Sequence, residues 1–79
     1  MALIDELAEK LALDTMKAME ETGNDRLWID VGNFIGTSSP SLQESYNTAC
    51  RSFLAERRGR QFLEDQIARL KAKQAKAEG

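Results

Sequence analysis

The sequence predicts an all-α protein of three helices packed as a helical hairpin with a long C-terminal arm. Three observations predict it. Apolar residues recur at helical spacing over most of the chain, no proline follows Pro40, and charged residues make up 30% against 6% aromatic. The expected helices span about 2–21, 25–35 and 40–76, in one domain over 1–76 with a frayed tail at 77–79.

The first helix rests on a stripe of Leu3, Ile4, Leu7, Ala8, Leu11, Thr15, Ala18 and Met19 on one face. Glu6, Glu9, Lys10, Lys17, Glu20 and Glu21 take the other face, and Leu13 and Met16 fall off the stripe. Gly23 supplies the left-handed residue that commonly ends a helix. Asn24 or Asp25 can cap the next one. The segment Arg26–Ile35 fits both a helical face (Leu27, Val31, Phe34, Ile35) and strand alternation (Leu27, Ile29, Val31). A lone strand in a helical protein leaves its backbone groups without partners, so a helix over 25–35 is expected, ending at Gly36.

The stretch Gly36–Glu44, GTSSPSLQE, starts the third helix. Ser39 offers an oxygen to orphan backbone N–H groups, and Pro40 suits the first helical position. Ser41 and Glu44 form a competing capping box. Two apolar patches follow: Leu42, Tyr46, Ala49, Cys50, Phe53 and Leu54, then Leu63, Ile67 and Leu70 with Phe62 to one side. Positions 42, 49, 56, 63 and 70 repeat by seven, as do 46, 53, 60 and 67, giving a heptad seam broken by Glu56 and Arg60. At about 1.5 Å per residue the third helix is roughly 55 Å long and the first only about 30 Å. The second patch therefore overhangs, and a second copy is the expected cover.

The size of the chain points the same way. A domain of 79 residues buries only about 60% of the surface its unfolded chain exposes. Small chains compensate with disulfides, a metal, oligomerisation or regular helix packing. Cys50 is the single cysteine and there is no histidine, which excludes an intramolecular disulfide and disfavours zinc. Residues expected to carry self-association are Leu42, Tyr46, Phe53, Phe62, Leu63, Ile67 and Leu70.

Net charge is −2, with no global pull toward polyanions, but the ends differ. Residues 1–22 hold six acids and two lysines; residues 51–79 hold eight bases and four acids. The two segments can face each other, or the basic one can face a polyanion. No apolar run reaches the roughly 20 residues a membrane span needs, and no secretory leader is recognisable. A single thiol fits a reducing compartment, so a cytoplasmic location is expected.

Catalytic signatures are missing: no histidine-based pair, no phosphate loop, no dinucleotide fingerprint and no Glu-x-x-His spacing. Cys50, between Ala49 and Phe53 on an apolar face, is expected to be core packing. No enzyme and no cofactor are expected.

Residues 31–46, VGNFIGTSSPSLQESY, resemble the core of a helix-turn-helix. The resemblance implies packing and turn roles for Val31, Gly32, Ile35, Gly36, Ser38, Leu42 and Tyr46. It places Ser39, Ser41, Gln43 and Glu44 at a DNA groove, with Asn47 further along. Separately, the cluster Arg57, Arg58 and Arg60 could hold a nucleic acid, but a solvated stretch, or partners for the acids of the first helix, is the favoured reading. The stretch departs from such units in having no basic residue before Arg51 and in placing Glu44 toward phosphates. A DNA-binding regulator is therefore the alternative. The first expectation is a non-enzymatic helical module acting through protein–protein contact, as an adaptor or regulator, paired as a homodimer.

Overall fold

Three helices carry the chain in the computed structural model, which describes residues 2–78: α1 (Ala2–Thr22), α2 (Leu27–Gly36) and α3 (Pro40–Glu78). No strand occurs among the described residues, so the Leu27–Ile35 segment is helical, as its backbone requirements predict.

Local chemistry sets the boundaries. Gly23 has φ of 72°, and its N–H donates to the Met19 carbonyl at 2.9 Å, closing α1. The Asn24 side-chain oxygen accepts from the Arg26 N–H at 3.1 Å. That turn occupies residues 25–26, so α2 begins at Leu27, two residues later than expected. Ser39 Oγ accepts from the Leu42 N–H at 3.1 Å and Pro40 opens α3, so Ser39 is the cap rather than Ser41. At the other end α3 continues through Ala77 and Glu78, where fraying was expected; Gly79 and Met1 lie outside the described residues.

The hairpin is made by α2 and the first half of α3, which run antiparallel. Gly36 meets Gln43, Gly32 meets Asn47, and the Arg51 guanidinium lies 6.0 Å from the centre of the Trp28 ring. The glycines permit the close approach. A Cβ on Gly32 would come within 2.6 Å of the Asn47 side-chain oxygen, and one on Gly36 within 2.6 Å of Gln43 Cδ. By contrast α1 runs alongside α3 in the same direction. Asp5 and Glu9 border the Glu44–Phe53 stretch, and Met19 and Glu20 border Leu54 and Arg57.

The core is Ala8, Ala12, Met16 and Met19 of α1 against Tyr46 and Cys50 of α3, with Thr15 buried among them. Leu27, Trp28, Val31 and Ile35 of α2 and Leu42, Phe53 and Leu54 of α3 pack around it. The buried face of α1 is thus turned by roughly one residue from the expected stripe. Ala12 and Met16 are buried, while Leu3 and Leu7, expected inside, are 61% and 51% exposed. The cause is steric. The Tyr46 ring and Cys50 share the core with the small Ala8 and Ala12, which suit a close helix approach, and with the flexible Met16 and Met19, which fill the space left.

Gly59 does not break α3, and a Cβ there would meet nothing within 4 Å. Gly59→Ala is therefore expected to stabilise the protein by about 0.5–1 kcal/mol through helix propensity. Thermal unfolding followed by circular dichroism checks this; an unchanged or lower midpoint would mean that the centre of α3 is not regular helix in solution.

Candidate functional site: an uncovered helical seam

The site is the part of α3 that its own chain leaves bare. The 39 residues of α3 amount to about 58 Å of helix, in keeping with a longest molecular dimension of 62 Å. α1 accompanies α3 only as far as Arg57, whose guanidinium reaches the Met16 carbonyl at 3.4 Å and the Glu20 carboxylate at 3.6 Å. Beyond that, Phe62, Leu63, Ile67 and Leu70 are 66%, 54%, 41% and 64% exposed.

Leu63, Ile67 and Leu70 continue the heptad seam on which Leu42, Tyr46, Ala49 and Phe53 lie. α1 covers the first half of that seam, and nothing among the described residues covers the second. Glu56 and Arg60 divide the halves, joined by a hydrogen bond from Arg60 Nε to Glu56 Oε1 at 2.8 Å. The second half is flanked by Glu64 and Lys71 on one edge and by Gln66 and Lys73 on the other.

The seven residues expected to carry self-association therefore separate. Phe62, Leu63, Ile67 and Leu70 lie together on open surface. Leu42 and Phe53 are half-buried against the core, and Tyr46 is wholly buried. Tyr46 needs correction as a surface contact: its hydroxyl donates to Thr15 Oγ1 at 3.1 Å, and Thr15 in turn donates to the Leu11 carbonyl at 2.8 Å. Burial pushes the Tyr46 hydroxyl up to about 12, with the Thr15 hydrogen bond pulling it down and Cys50 adding a further upward push. Both patches share one apolar period, so the sequence alone does not separate them. The separating signal is the length of α1.

Burial raises the thiol of Cys50 above its ordinary value, opposed by its hydrogen bond with Tyr46. The thiol is free and buried in the core. Among the described residues no group of three metal-ligating side chains lies together, and every buried side-chain nitrogen or oxygen has a hydrogen-bond partner. An open groove of about 560 Å³ lies between α1 and α3, with Asp5, Glu9 and Glu44 among its lining residues beside Ala49 and Phe53.

The residues of the helix-turn-helix resemblance scatter. Ser39 is engaged as the α3 cap and Ser41 is exposed. Gln43 and Asn47, expected at a groove, are turned onto Gly36 and Gly32 of α2, because those glycines open the space for their carboxamides. Arg57 is tied to α1 and Arg60 to Glu56, while Arg58 is exposed. No helix among the described residues is long and apolar enough to cross a membrane. No protein-family model matches the chain, and neither the curated proteins nor the solved structures searched contain a protein similar to it.

Proposed function

We propose that this chain is a non-enzymatic helical module that acts through protein–protein contact, a small adaptor or regulator that pairs with a second copy through the second half of α3. One observation carries the reading: four large apolar side chains stand exposed on the half of α3 that extends past α1 and α2. Most helices in proteins draw their stability from packing an apolar face rather than from helix propensity, and this half of α3 has no such packing within the described residues. A contiguous apolar strip on a projecting arm is the ordinary form of a helical docking element. A cytoplasmic setting is part of the proposal; it rests on the single Cys50 thiol, which fits a reducing compartment.

Amide hydrogen exchange at several protein concentrations tests this. Residues 42–54, packed in the core, are expected to stay protected at every concentration. Residues 62–74 are expected to be protected at high concentration and to exchange roughly tenfold faster or more on dilution into the monomeric range. Fast exchange across 62–74 at all concentrations would remove self-pairing through this arm.

A further inference from the structure

Resting on that reading, the charge pattern of the arm specifies how the second copy lies. We infer that it pairs antiparallel, in the register that sets Ile67 against the partner's Leu70 and Glu64 beside the partner's Lys71, once on each side of a twofold axis.

The edges of the seam decide between orientations. One edge carries Arg57, Glu64 and Lys71, spaced by seven; the other carries Gly59, Gln66 and Lys73. In a parallel pair each edge meets the opposite edge of its partner. Glu64 would then stand beside the partner's Gly59, and Lys71 beside the partner's Gln66, so over residues 57–73 no opposite charges meet. In an antiparallel pair each edge meets itself, which brings residues of Arg57, Glu64 and Lys71 together.

The sign of those contacts selects the register. Setting Ile67 against the partner's Leu63 puts Glu64 beside the partner's Glu64 and Lys71 beside the partner's Arg57, both repulsive. Sliding by one heptad, so that Ile67 meets the partner's Leu70, replaces these with two Glu64–Lys71 attractions. It also buries Ile67 and Leu70 twice over, with Leu63 against the partner's Gln74 at each end. Like-charge juxtaposition disfavours the wrong partner arrangement as effectively as attraction favours the right one. Phe62 lies off the seam and stays outside this pairing.

The end of α1 fits the same arrangement. α1 occupies the seam only to Arg57. In the chosen register the partner's Lys76 stands level with Gln61, one turn further on, so the partner's helix begins where α1 stops. The last turn of α1 has no basic residue and carries Glu20 and Glu21. That negative end faces Lys73 and Lys76 near the end of the partner's helix, a favourable placement of charge.

Dilution calorimetry at low salt on the full chain tests the inference with Glu64→Lys, Lys71→Glu and the double variant. Each single change turns two attractions into two repulsions and is expected to weaken the dimer roughly tenfold. The double variant restores opposite charges across the axis and is expected to return to within about threefold of the parent. Singles without effect, or a double as weak as the two losses combined, would overturn the antiparallel register while leaving self-pairing in place. A parent chain that shows no heat of dissociation at any concentration would instead remove the pairing itself, and this inference with it.

Discussion

Leu63→Asp combined with Leu70→Asp is expected to yield a folded monomer. Both side chains lie beyond the reach of α1 and α2, so the core of Ala8, Ala12, Met16, Met19, Tyr46 and Cys50 is untouched by the change. In the dimer each aspartate would sit in the paired seam, where burial of a carboxylate without a cation is strongly unfavourable. With the change present in both chains, the seam loses four apolar anchors and gains four desolvated charges. Association is expected to weaken by at least about 100-fold, on the scale of about 1.5–3 kcal/mol for each large apolar side chain. Light scattering reads the mass and circular dichroism reads the fold. An unchanged dimer would place the interface elsewhere, for example on the exposed Leu3, Leu7 or Phe34.

Tyr46→Ala is the change expected to damage the fold itself. Tyr46 is the largest fully buried side chain, set between α1 and α3 with its hydroxyl on Thr15. Truncating a large buried aromatic costs about 3–5 kcal/mol. Domains have only about 5–15 kcal/mol in total, and one this small belongs at the lower end. Tyr46→Ala is therefore expected to leave at most about 2 kcal/mol, with a measurable fraction of the chain unfolded at room temperature. Tyr46→Phe removes one buried hydrogen bond while keeping the ring, and is expected to cost about 1 kcal/mol. Urea unfolding followed by circular dichroism separates the two. A Tyr46→Ala loss of less than about 1 kcal/mol would mean that α1 does not pack on α3 through this ring.

Much of the architecture is legible in the sequence. Gly23, Ser39 and Pro40 act where their backbone chemistry predicts, and the apolar period marks α1 and α3, whereas α2, whose spacing also fits a strand, follows from the need to pair its backbone groups. What the sequence does not reveal is which face of α1 turns inward. Periodicity favours the larger leucines, but the core takes Ala12 and Met16 instead, and that selection arises only when two helices meet. The same limit applies to Gln43 and Asn47: as isolated helix residues they face outward, and only the cavities left by Gly36 and Gly32 draw them inward. The overhang is legible because it follows from length alone. That Tyr46 is wholly buried and leaves the self-association set is not, since it shares one heptad frame with Ile67.

Sedimentation equilibrium of the unmodified chain over a wide concentration range is the most direct measurement. Reversible conversion of an 8.8 kDa monomer into a particle of twice that mass is the expected result, with the transition in the micromolar range for so short a seam. A single species of monomer mass at every concentration, with α3 still fully helical, would show that the arm needs no second chain to cover it.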